Sequence, residues 1–402
     1  MKIKKSSLIY FLIAYMVGIY VWDYTIIYQT ALVLMAAVSL LIYRKKWINL
    51  NTWIVCEILF IVFFAIHTLL GFSIRPSLSY DYLLTMVINC IASISIICII
   101  DSRQKIEVVL KAIIVIAVFL CIYAVIADRS NLLSGNLGEG LKKPIIGGNY
   151  LHNNIPMLAS YAILALSYFK VCKKQVRFSY LLYVFFLVVV FLSGARKALI
   201  FAFFGIIIYP IMASEKSSSS LMRFFKLGLV AISGIIILYV LLTNDFLYGL
   251  VGYRFSGVIS GLMGGEYTES SARSRSIMIT TAVNAIRNKW WIGIGLNTFR
   301  TLPGSFYTWS HNNYLEILVS GGIIPLCLYY LFPIKATLKL TKYKKDPMAS
   351  MFFWFLVFMF IHDYLTVSYI ERPIGFFINI ACAFLLVLER EKDQDTSLAN
   401  VA

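Results

Sequence analysis

The chain has 402 residues, 60% of them hydrophobic and 14% charged, with a formal net charge of +17 at neutral pH. A soluble domain of this length cannot hide so much apolar surface in one core, so the chain must be solvated by lipid. The excess of Lys and Arg is then informative through its placement along the chain, and no nucleic-acid partner is expected.

Apolar stretches of the ~20 residues that a bilayer demands recur from end to end, near 7–22, 25–43, 53–72, 82–100, 107–126, 153–169, 177–193, 198–213, 225–243, 314–333, 350–367 and 372–389. The expected fold is an all-α polytopic transmembrane helical bundle of about twelve helices, forming one membrane domain over residues 1–402. The first stretch, after Lys2, Lys4 and Lys5, runs through Trp22 without a small-residue cleavage site and reads as a retained helix. With the N-terminus inside, the inner segments are the N-terminal tail, YRKKW, DSRQK, KVCKKQVR, SEKSSSSLMRFFK, PIKATLKLTKYKK and the C-terminal tail. They hold 22 of the 36 Lys and Arg, so both termini are expected in the cytoplasm. The seven cysteines lie in or beside apolar segments without metal-type spacing, and neither a disulfide nor a cysteine-bound metal is expected.

The remaining basic residues fall mainly in two outer connections, near 127–152 and 244–313, and in the short turn at Arg196 and Lys197. A loop as long as 244–313 is more often functional than a spacer. Within it RSIMITTAVNAIRNKWW reads as an amphipathic helix lying along the membrane surface, with Ile279, Val283, Ile286 and Trp290 at helical spacing.

Four outward arginines form the first candidate constellation: Arg196 in LSGARKALIF, and Arg254, Arg273 and Arg275 in the long loop. A guanidinium holds a phosphate or pyrophosphate by paired hydrogen bonds without losing its charge. Anchoring among anionic headgroups would use the same residues. The second constellation is SHNNYLEILVSGGIIP, where a polar loop enters a helix through His311, Asn312, Asn313, Tyr314 and Glu316. His311 can take a proton from a sugar hydroxyl near neutral pH. Glu316, five positions on, is too far round the helix to face it and is given a supporting role. His362 and Asp363 are intramembrane ionisable groups, hence either a site or a satisfied pair. Asn153 and Asn154 open the sixth span at a position suited to capping or to receiving a sugar oxygen. A Walker loop, a dinucleotide glycine fingerprint and a paired acidic set in an early outer loop are all absent.

Four of these stretches resemble the O-antigen ligase and O-antigen or capsule polymerase (Wzy-type) membrane proteins. LSGARKALI is similar to that family's Ser-Arg turn, and RSIMITTAVNAIRNKWWIGIGLNTF to its arginine, amphipathic helix and Gly-x-Gly run. SHNNYLEILVSGGIIP resembles its His-Asn element, and GGNYLHNNIPMLA its Asn-started helix. The chain departs at Pro325, where the family usually has glycine, and lacks the tryptophan common after the loop arginine.

The resemblance implies a GT-C-like bundle performing a metal-independent glycosyl transfer, with no cofactor, at the outer face of a bacterial inner (plasma) membrane. A glycan on an undecaprenyl-pyrophosphate donor passes to an acceptor hydroxyl. Carried over by residue, Arg196 and Arg275 hold the pyrophosphate and His311 activates the acceptor, with Arg254, Arg273, Asn154, Asn312 and Glu316 as substrate-binding candidates. The leading expectation is a polymerase of lipid-linked repeat units, with a chain-length regulator and a flippase as partner proteins. The alternatives are a ligase that moves finished glycan to a terminal acceptor, and a flippase or transporter of lipid-linked sugar.

Overall fold

The computed structural model describes residues 7–21, 26–48, 51–131, 151–174, 176–213, 220–253, 256, 270–287, 289–343, 345–369 and 371–399. Three Gly-Gly pairs in the sequence, 147–148, 264–265 and 321–322, mark turns or close backbone approach; the first two, and Arg254, lie outside the described residues.

The helices are α1 (Leu8–Val21), α2 (Ile26–Ile48), α3 (Thr52–Leu69), α4 (Pro76–Ile99), α5 (Arg103–Ala127), α6 (Leu151–Val171) and α7 (Ser179–Leu192). There follow α8 (Arg196–Ala213), α9 (Ser220–Thr243), α10 (Ser270–Arg287), α11 (Asn313–Gly321), α12 (Ile323–Leu340), α13 (Pro347–Leu365) and α14 (Arg372–Ala399). No strand occurs among the described residues, and the protein is an all-α, multi-pass membrane protein. Seven of the described helices, α3, α4, α5, α8, α12, α13 and α14, are long and apolar enough to cross a membrane. Shorter apolar helices at Leu8–Tyr20, Gln29–Tyr43, Ser179–Leu192 and Ile232–Thr243 accompany them. The seven are fewer than the twelve spans expected from hydropathy.

Over the described residues the apolar stretches found in the sequence are helical, but one is divided. The stretch near 314–333 breaks at Gly322, whose φ of 77° and ψ of −159° only glycine adopts readily. Its amide closes α11 by donating to the Leu318 carbonyl. The structure therefore replaces one expected span with the nine-residue α11 and the longer α12.

Ion pairs sort the connections into two ends of the bundle. At one end Arg103 binds both oxygens of Glu391 (3.0 and 3.0 Å from Nε) and also Asp346. Lys339 meets Glu389, Lys174 meets Glu107, and Lys105 meets Asp101 at 2.9 Å. These are the segments whose Lys and Arg led to their assignment to the inner side. At the opposite end the α3–α4 connection packs on residues 292–296, and Glu371, just before α14, meets Lys197. Connections with Lys and Arg assigned to the inner side thus pair with one another, as at Arg103, Asp346 and Glu391.

The core between the ends is continuous and rich in aromatics. Tyr161, Phe201, Phe355 and Phe377 interlock α6, α8, α13 and α14, and Trp53 packs against Tyr329 and Phe332 of α12. Hydrogen bonds add specificity where lipid would leave polar atoms bare: Trp53 Nε1 donates to Asn379 Oδ1 at 2.7 Å.

Candidate functional site

Three segments converge at the end carrying Lys197. The first is the reversal between α7 and α8. Gly194, at φ 61°, turns the chain, and the Ser193 hydroxyl accepts from the Ala195 amide at 3.3 Å while donating to the Val190 carbonyl at 2.7 Å. Arg196 and Lys197 then open α8, both half-buried, with Lys197 Nζ 3.8 Å from Glu371 Oε1.

The second segment is α10. Its buried side is Met278 and Ala282, packed with Ile294, Phe299 and Val319. That stripe is offset from the expected one: Val283 and Trp290 are exposed, because the helix packs inward on the following loop as well as presenting an apolar outer side. Arg275 is half-buried and Arg273, two residues earlier on another face, is exposed.

The third segment carries His311. Ser310 is buried; its amide donates to Glu316 Oε2 at 2.8 Å and its hydroxyl to the Asn312 carbonyl at 2.9 Å. Asn312 caps α11 by accepting from the Leu315 amide at 3.0 Å. Between them His311 adopts a left-handed backbone, φ 55°, and is half-buried. Asn297, Phe306 and Tyr307 are also left-handed, so non-glycine residues of this conformation cluster in the approach to His311.

A seam of backbone hydrogen bonds fixes the second segment to the third. Ile294 N donates to Val319 O at 2.7 Å, Gly295 N to Ser320 O at 2.9 Å, and Ile323 N to Trp290 O at 3.1 Å. The strands of chain lie so close that a Cβ on Gly293 would sit 2.5 Å from Gly321 N, and one on Gly322 would sit 2.1 Å from Trp291 O. Glycine is required at both. The seam is tied to α3 and α4 through His67 Nε2, 2.8 Å from Ile292 O, and through Ser79 Oγ, which donates to Leu296 O at 2.9 Å.

Two cations, Arg275 and Lys197, act electrostatically on the His311 imidazole. Burial, and then the positive charges of Arg275 and Lys197, pull the His311 pKa down to about 4, so the ring is neutral at physiological pH. Lys197 also lies within electrostatic reach of His362, whose ring is buried with neither nitrogen hydrogen-bonded. Asp363 accepts from Tyr330 Oη at 2.6 Å and Asn313 Nδ2 at 3.2 Å, and Asn313 Oδ1 in turn receives the Ser368 and Tyr369 amides at 3.0 Å each. Asn313 and Asp363 therefore lock α11, α12 and α13 together beneath the His311 turn.

Of the residues singled out in the sequence, Arg275, His311, Asn312 and Glu316 meet here, and Arg196 adjoins Lys197. Asn154 sits half-buried in the first turn of α6. Sequence reasoning takes Lys197 only as a basic residue of the turn at Arg196, not as a site candidate, and passes over Glu371. Their signal was a Lys beside the Ser-Arg turn and an acid at the break between the last two apolar spans.

A family model described as O-antigen ligase matches residues 181–330. That span holds the Ser-Arg turn, α10, the glycine seam and the His311 turn. No curated protein gives a significant match to the chain. The matched segment, somewhat over a third of the chain, is thus similar to the O-antigen ligase family model.

Proposed function

We propose that the protein is a metal-independent polysaccharide polymerase of the bacterial inner (plasma) membrane, acting at the outer face with both termini in the cytoplasm. It transfers an undecaprenyl-pyrophosphate-linked glycan onto the sugar of a second lipid-linked repeat unit. The observation that carries the reading is the neutral His311 held against two cations, Arg275 and Lys197.

In this reading the donor diphosphate binds between Arg275 and the Arg196–Lys197 helix start. An acceptor hydroxyl attacks the anomeric carbon, the C–O bond to the diphosphate breaks, and the bonding pair leaves with undecaprenyl pyrophosphate. Positive charge at the departing oxygens stabilises the transition state where negative charge grows. The hydroxyl proton goes to His311. Bound diphosphate offsets the charges of Arg275 and Lys197, which raises the basicity of His311 when a substrate is present. Asn312 and Glu316 position the turn, and Arg273, Arg254 and Asn154 are assigned to the glycan and headgroup. A flippase and a chain-length regulator are the partner proteins this chemistry calls for.

The name of the matching family favours a second reading, transfer of finished glycan to a terminal acceptor. Incubation of purified protein with its lipid-linked repeat unit alone separates the two. A ladder of products supports the polymerase. Elongation that requires a second acceptor species establishes the ligase instead.

A further inference from the structure

The loop 303–309, which leads into the His311 turn, carries two aromatic rings on a strained backbone. Phe306 and Tyr307 follow one another at φ 53° and 58°, and they are 53% and 88% exposed. A side chain with a Cβ resists this conformation, and two in succession persist only where their surroundings impose it. Ser305, buried beneath them, donates its hydroxyl to the Arg300 carbonyl at 2.9 Å and accepts from the Tyr307 amide at 3.3 Å. The Thr308 amide closes the turn on the Ser305 carbonyl at 3.1 Å, and Trp309 Nε1 donates to Asn297 Oδ1 at 3.3 Å. On the other side of the rings, Gly304 lies so close to α10 that a Cβ there would sit 2.6 Å from Thr281 Oγ1. These bonds fix the backbone of the loop and use neither ring. Strain that turns apolar rings outward, away from the core, is characteristic of a surface shaped for a ligand.

The neighbours of the rings argue against lipid as that ligand. Thr301 and Gly304 are exposed and Arg300 and Thr308 half-buried, so the apolar patch does not continue as the broad face that lies in a bilayer interface. Position argues for the substrate. Tyr307 is four residues from His311, which keeps their Cα atoms within about 14 Å, and Gly304 rests on Ile277 and Thr281 of the helix that carries Arg275. The pair therefore stands at the margin of the transfer site. A pyranose has a face of C–H bonds that can lie on an aromatic ring while its hydroxyls stay in water. Phe and Tyr offer that contact as large, rigid groups with little side-chain entropy to lose, and a fixed backbone lowers the cost further.

Building on the transfer reading of the His311 site, we propose that Phe306 and Tyr307 form a glycan subsite, which holds pyranose rings of the lipid-linked substrate by their C–H faces. The test is isothermal titration of the purified full chain in nanodiscs with the free oligosaccharide repeat unit, cleaved from its lipid by mild acid. Saturable binding is expected, weakened about tenfold in Phe306→Ala and in Tyr307→Ala and retained in Tyr307→Trp. Tyr307→Gly relieves the backbone, so its thermal midpoint stays at or above that of wild type while its binding weakens as in Tyr307→Ala. Binding that is absent in wild type, or unchanged by both alanine variants, overturns the proposal. A clearly lowered midpoint in Tyr307→Gly assigns the ring to loop packing and overturns it too. So does a nitroxide on Tyr307→Cys, in a background without native cysteines, that is relaxed by oxygen rather than by a water-soluble paramagnet, since that places the side chain in lipid. The titration does not depend on turnover: glycan binding lost in the alanine variants, with no transfer by wild type, upholds the subsite and overturns the polymerase reading.

Discussion

His311 is held in place by its neighbours rather than by bonds of its own. The left-handed backbone costs a histidine about 1–2 kcal/mol, and Ser310, Asn312 and Glu316 supply the bonds that hold it. Glu316→Leu is expected to strand the buried Ser310 amide, cost about 1–3 kcal/mol of stability and lower transfer activity by releasing the turn. Glu316→Gln, which keeps an acceptor oxygen, restores much of both; a thermal midpoint and a rate for each variant check this.

The charge state of His311 gives a second residue-scale prediction. Its folded pKa is lowered, so the neutral form's contribution to stability is complete above the unfolded value of about 6.5. That contribution is lost as pH falls towards about 4. His311→Gln should flatten the loss of thermal midpoint across this window. In kinetics, donor binding raises the His311 pKa, so the acid limb of kcat lies at higher pH than that of kcat/KM. Coincident limbs would remove the electrostatic link between donor and base.

At the scale of elements, the glycine seam joins the Arg275 helix to the His311 turn. Gly322→Ala places a Cβ into the Trp291 carbonyl and demands a conformation that alanine resists. A loss of about 3 kcal/mol or more and of transfer activity is expected, read from the thermal midpoint and from product formation. Gly228→Ala, in exposed α9 with open space around it, should leave both near wild type.

This is also the scale at which sequence reading reached its limit. Hydropathy located the apolar helices because each must present apolar surface to lipid over a fixed length. Hydropathy alone ran through the break at Gly322, since α11 and α12 are both apolar; the Gly321–Gly322 pair in the sequence does mark a turn or close backbone approach, but the partner of that approach, residues 290–295, lies far off in the chain. The same is true of α10. Its periodicity was plain, but the stripe that packs inward was set by Ile294, Phe299 and Val319, which lie outside the helix. Arg275 and His311 were legible from their motifs. The pairing of Lys197, visible only as part of a basic turn, with Glu371 was not, because it spans two connections that become neighbours only in the folded bundle.

At the scale of the whole molecule, the separation of the connections into two ends predicts their accessibility in cells. In a background without native cysteines, Tyr307→Cys should react with a membrane-impermeant thiol reagent added to intact cells. Lys345→Cys, on the end that carries Asp346 and Glu391, should react only after permeabilisation. The opposite pattern would invert the orientation and move the His311 site to the cytoplasmic face.

The central claim is that Arg275 and His311 act in one transfer step. The measurement that tests it most directly is the initial rate of glycan transfer from the lipid-linked repeat unit by wild type, Arg275→Ala, His311→Ala and the double variant, each shown to be folded. Each single change is expected to lower the rate by about 10²–10⁴, and the double variant should fall little below the worse single one, as residues sharing a step do. A single variant that keeps near-wild-type rate, or two losses that simply multiply, would contradict the account.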